Sequence, residues 1–108
     1  GFVQVGKKAE NTHSTVTCDA LILDDKSESN TYPSVKNENS TAVIAHEARV
    51  GKIGDEEIFY LKSRGMNEAE ATRLIVNGFI EPMIKTMPLE YALELNKLIE
   101  LEMENSVG

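Results

Sequence analysis

Thiols, positive charge and long apolar runs are all scarce in this chain, and each shortage removes a class of protein. Cys18 is the only cysteine in 108 residues, so no disulfide can close within the chain, and a reducing compartment is expected. Against 18 Asp and Glu there are 11 Lys and Arg, a net charge of -7. Such a surface repels phosphate backbones and anionic headgroups, which argues against nucleic acid and against membrane binding and favours a basic partner. No run approaches the roughly 18 apolar residues of a spanning helix, and the first residues lack the charged-then-apolar layout of a signal peptide, so a cytoplasmic location is expected. Gly1 in place of Met reads as a trimmed tag or an excised piece of a longer protein.

Familiar catalytic signatures are missing too. The sequence has no glycine loop with Lys and Ser/Thr to cradle phosphate, no nucleophile elbow, no paired cysteines at zinc spacing and no dinucleotide fingerprint. An autonomous enzyme is therefore not expected. His13 stands alone in "NTHST" and reads as a polar loop or strand residue.

What is present divides near Gly51. Hydrophobic residues make up 41%, enough for one real core, or a fragment of a larger one. Before Gly51 the chain is rich in Thr, Ser, Asn and Val in short extended runs; after it come Leu, Ile, Glu and Ala at helical spacing. The fold class is thus α+β, strands first and helices second. In "STVTCDALIL" (14–23) alternation puts Val16, Cys18, Ala20 and Ile22 on one face and Thr15, Thr17, Asp19 and Leu21 on the other. "YPSVKNE" (32–38) is a short extended piece limited by Pro33. "STAVIAHEARV" (40–50) puts Ala42, Ile44, His46, Ala48 and Val50 on one side, Val43, Ala45, Glu47 and Arg49 on the other. Short strands without two-residue Asn-Gly or Asp-Gly turns suit the rungs of a β-solenoid, and a small antiparallel sheet would use similar strands.

The second half predicts three helices. The first runs from about Asp55 to Arg64, with acidic residues at its positive end, Lys62 and Arg64 at its negative end, Gly65 as its left-handed stop, and Ile58, Phe59 and Leu61 as its buried stripe. The second starts at about Glu68, with Asn67 as N-cap and Glu70 completing a capping box; Pro82 is expected to break or kink it. The third has Pro88 in its first turn and a stripe of Leu89, Ala92, Leu93, Asn96, Ile99 and Met103, widened by Leu95 and Leu98.

Three residues carry candidate chemistry, and each has a plainer reading. Cys18 is a soft metal ligand, sulfur acceptor or nucleophile, or else a small buried hydrophobe. His46 is a ligand or a hydrogen-bonded core histidine. Glu47 is a functional acid or a solvated carboxylate.

Taken together and in order, "TCDALIL", "AHEARVGKIGDEEIFYLKSRG", "EAEATRLIVNGF" and "PLEYALELNKLIELEMENSVG" resemble the C-terminal part of the SufB/SufD family of the SUF iron-sulfur cluster assembly machinery. Cys18 and "HEA" in place of an "HGA"-like stretch put the resemblance on the SufB side of that family. The resemblance implies the terminal coils of a right-handed β-helix over residues 1–51 and a small three-helix domain over residues 52–108. It implies a scaffold on which a transient iron-sulfur cluster is built, with Cys18 and Glu47 meeting across stacked strands at a subunit interface and His46 beside them, all three as tentative iron ligands. Ala45 stands where many relatives have a glutamate, so that position offers no ligand here. Implied partners are an ABC-type ATPase of the SufC kind on the helical domain and a SufD-like paralogue, or a second SufB-like copy, on the β-helix. The competing expectation is a SufD-like scaffold that binds these partners without handling iron or sulfur.

Overall fold

In a computed structural model, described here for residues 1–106, the chain divides into two compact units, Gly1–Lys52 and Ile53–Gly108. The first unit holds four strands: β1 Phe2–Val5, β2 His13–Ile22, β3 Ser34–Asn37 and β4 Val43–Lys52. β1 was not among the extended runs singled out from the sequence, and β4 begins later than expected because Asn39 and Thr41 fold into a turn. There the Asn39 side-chain carbonyl accepts from both the backbone amide and the hydroxyl of Thr41, at 2.9 and 2.7 Å.

All pairing in this unit is parallel. β1 pairs with β3 in the register Phe2↔Ser34 to Val5↔Asn37, and β2 pairs with β4 in the register His13↔Val43 to Ile22↔Lys52. Parallel neighbours cannot be joined by a tight hairpin. Here the chain visits one sheet, crosses to the other, then repeats both visits one strand further along. The two crossings are tied together: Asn39 Nδ2 donates to the Lys7 carbonyl at 2.9 Å, and the Asn11 amide donates to Thr41 Oγ1 at 2.8 Å. Asn11 sits at φ 54°, a left-handed conformation that asparagine tolerates better than most residues.

β2 keeps the alternation read from its sequence. Ser14, Val16, Cys18 and Ala20 are half-buried while Thr15, Thr17 and Asp19 are exposed. β4 loses it after Ile44, beyond which every residue is exposed.

The second unit contains α1 Asp55–Ser63, α2 Glu68–Ile84 and α3 Leu89–Ser106, with α2 touching both of the others. α1 ends at Gly65, whose φ of 99° is one that only glycine adopts readily. α2 opens on a complete capping box: Asn67 Oδ1 accepts from the Glu70 amide and Glu70 Oε2 accepts from the Asn67 amide, both at 2.9 Å. Ala71, fully buried, sits one turn further on, and Ile53, Ala92 and Met103 complete the buried set.

Three expectations about the helices need correction. α2 is not broken at Pro82 but runs through it and ends two residues beyond; the proline forgoes one backbone hydrogen bond, and the carbonyl its ring faces belongs to the small Gly78. Phe59 is 74% exposed, since only Ile58 and Leu61 turn inward from a helix covered on one side. On α3 the inward line is Ala92, Leu95, Ile99 and Met103; Leu89 and Leu93, at 73% and 61% exposed, fall off it, as does Asn96. Among the described residues no helix is long and apolar enough to cross a membrane.

Candidate functional site

The β2–β4 register decides which candidate residues meet. Val16 stands directly opposite His46, and Cys18 opposite Ala48. Parallel partners share a face, so Cys18 and His46 are diagonal neighbours on the same one. The small Ala48 puts no bulk in front of the thiol, and Cys18 Sγ lies 3.6 Å from His46 Nε2. At that distance sulfur and ring nitrogen share a weak hydrogen bond, the tautomer deciding which of them donates. Cys18 is half-buried and His46 exposed, so the pair is open on the imidazole side. Behind it lies a cavity of about 190 Å³ between the two sheets, walled by Val16 and Ile44 beside the pair and by Phe2 and Val35 across from it.

Glu47 does not join them within this chain. It is the partner of Thr17, on the opposite face of the same two strands, where strand alternation must put it if His46 faces Cys18. There it is held by Arg49: Nε donates to Oε1 at 3.1 Å and Nη2 to Oε2 at 3.2 Å, a two-pronged contact. Asp19, the direct partner of Arg49 on β2, reaches the same Nε at 3.7 Å. The Glu47 hydrogen bond, then its charge and that of Asp19, hold the Arg49 guanidinium above its ordinary range. All three side chains are about half exposed or more.

Arg49 and Asp19 were not singled out from the sequence. The spacing of Glu47 and Arg49 on one strand face was a visible signal; that Asp19 joins them depends on register, which no local pattern contains. His13 opens β2 opposite Val43, on the face away from Cys18.

Chemically, a thiol and an imidazole side by side are soft-to-borderline donors of the kind that suit iron, zinc or copper(I). Among the described residues no three His, Cys, Asp or Glu side chains gather in metal-binding geometry. The pair by itself is two donors, short of a complete metal site.

The chain thus combines parallel strand pairs, one of them carrying a thiol beside an imidazole, with a helical unit that follows them in sequence. Residues 1–79 match the SUF system FeS cluster assembly, SufBD core domain. Over its whole length the chain is 51% identical to the iron-sulfur cluster assembly protein SufB of Bacillus subtilis, covering 23% of that protein. It is likewise 51% identical to an iron-sulfur cluster assembly SufBD family protein of Mycobacterium bovis, covering 13% of it, and 50% identical to one of Staphylococcus saprophyticus, covering 23%. The chain belongs to the SufB/SufD family of SUF iron-sulfur cluster assembly proteins and spans less than a quarter of the length of these relatives.

Proposed function

We propose that this segment is the closing part of a SUF scaffold subunit, on which a nascent iron-sulfur cluster is transiently held as cargo. The observation that carries the reading is the approach of Cys18 to His46, a thiol and an imidazole converging from two strands and open on one side. In this reading the two parallel strand pairs are the last coils of a right-handed β-helix, and a paralogous SufD-like subunit or a second copy brings the missing donors to the open side. Cys18 supplies the thiolate and His46 a nitrogen or a proton. Glu47 faces the other side of β4 and supplies an oxygen donor to iron that a partner subunit presents there, once its carboxylate leaves Arg49.

The helical unit has a separate task in this proposal: it docks an ABC-type ATPase of the SufC kind in the cytoplasm. ATP hydrolysis then belongs to that partner, and the scaffold itself turns over nothing. A nucleotide-driven movement of the ATPase opens or closes the cargo site, a coupling between two distinct sites.

The test uses the full-length subunit in its complex. Anaerobic reconstitution with iron and sulfide, followed by visible absorption, should give the cluster bands in the parent complex and lose most of them in Cys18→Ser. Undiminished bands in Cys18→Ser would remove Cys18 from the cluster site and favour the alternative, a SufD-like scaffold that binds its partners without handling iron or sulfur. Removing the helices from Asp55 onward should abolish co-purification of the ATPase; retained co-purification would put that contact elsewhere.

A further inference from the structure

One guanidinium is shared by two carboxylates on the face of β2–β4 opposite Cys18. Arg49 is engaged by Glu47 through both carboxylate oxygens, at 3.1 and 3.2 Å, so a metal approaching either oxygen meets the guanidinium's charge and competes with it for the same carboxylate. Asp19, standing directly across the strand pair, is already 3.7 Å from Nε, within ion-pair range though beyond a hydrogen bond. A small movement of the guanidinium toward β2 would exchange one carboxylate for the other. Ion pairs this exposed are weak, so the exchange costs little in either direction.

We infer that Arg49 is a positioning residue that keeps Glu47 in reserve and passes to Asp19 when Glu47 takes up iron. This rests on the proposed role of Glu47 as an oxygen donor. The exchange leaves Arg49 paired in both states. Asp19 has no contact with iron in this scheme; it makes release of Glu47 easier by offering Arg49 a second partner. Arg49 opposes iron binding and Asp19 favours it, although both sit beside the same carboxylate. A purely structural clasp between the strands would give the two the same sign.

The experiment is anaerobic Fe(II) titration against a competing chelator on the full-length subunit, with circular dichroism to show that each variant is folded. Glu47→Ala should weaken Fe(II) binding. Arg49→Gln, neutral and of similar length, should tighten it about two- to five-fold, the range expected of an exposed ion pair, and Arg49→Ala should do the same. Asp19→Asn should weaken it by a similar factor, and Asp19→Asn with Arg49→Gln should match Arg49→Gln alone, because without the guanidinium there is nothing for Asp19 to receive. If Glu47→Ala leaves Fe(II) binding unchanged, the donor role of Glu47 falls and the inference with it. If Glu47→Ala weakens binding while both Arg49 variants leave it unchanged or weaken it, or Asp19→Asn acts equally with and without Arg49, the donor role stands and the exchange is overturned.

Discussion

Cys18 and His46 lie 28 positions apart in sequence, on different strands, and their side chains come within 3.6 Å of one another. Neither residue is the direct partner of the other. Their approach comes from His46 standing opposite Val16, which sets the imidazole diagonally across from the thiol, beside the small Ala48. The two donors are separated by two residues along a strand and one step between strands, a short span that depends on the register of β2 against β4.

Replacing His46 by Ala should therefore weaken soft-metal binding at Cys18 without altering the fold, since the imidazole is exposed and walls only part of the cavity. With Cd²⁺ as probe, the sulfur-to-metal absorption of the full-length subunit should titrate with an affinity lower by about tenfold, equivalent to roughly 1.4 kcal/mol. Cys18→Ser should remove the component of that absorption that His46→Ala weakens. Equal Cd²⁺ affinity with and without the imidazole would show that His46 is no co-donor.

The register itself is held in part by Asn39, which fastens the β3–β4 turn to the Lys7 carbonyl through Nδ2 while its carbonyl oxygen organises Thr41. Asn39→Ala should lower stability in urea by about 1–2 kcal/mol, as expected for losing several modest hydrogen bonds. Asn39→Asp keeps the acceptor for Thr41 and gives up only the donor to Lys7, so its loss should be smaller. Identical losses in the two variants would mean that the bond between the turns contributes most of the effect.

Asp24 provides a pH test in the loop after β2. The Ser27 hydroxyl and the amides of Lys26 and Ser27 donate to its carboxylate at 2.7–2.8 Å and hold its pKa below the ordinary value. A depressed folded-state pKa means that the contribution is complete above the unfolded value, about 3.9, and is lost as pH falls through the lower folded value. Carboxyl chemical shifts should show Asp24 titrating below a model aspartate, and the Lys26 and Ser27 amide shifts should move with it. In Asp24→Asn that acid transition of the amides should vanish. Amides that titrate at the usual aspartate pKa would count against the contacts.

Much of the architecture was legible beforehand, for reasons that are local. The caps of the helical unit, Gly65 at its left-handed stop and Asn67 with Glu70, are chosen by backbone conformation within a single turn, so the sequence announces them. The burial of α3 was read too broadly. Leu89 and Leu93 are as apolar as Leu95 and Ile99, and only the position of α2 determines which of them turn inward. Pro82 was expected to break or kink α2 from its chemistry alone, and the helix continues through it to Ile84.

The candidate site divides along the same line. Local sequence determined that Cys18 shares a face with Val16 and that His46 and Glu47 must face opposite ways, because successive side chains on a strand alternate whatever the strand packs against. Only the tertiary structure decided that His46 is the one that meets Cys18, and that Glu47 is bound by Arg49 with Asp19 close by. Register is a relation between strands far apart in the chain, fixed by the turns and packing that bring them together, and a slip of one residue would exchange the two faces of β4.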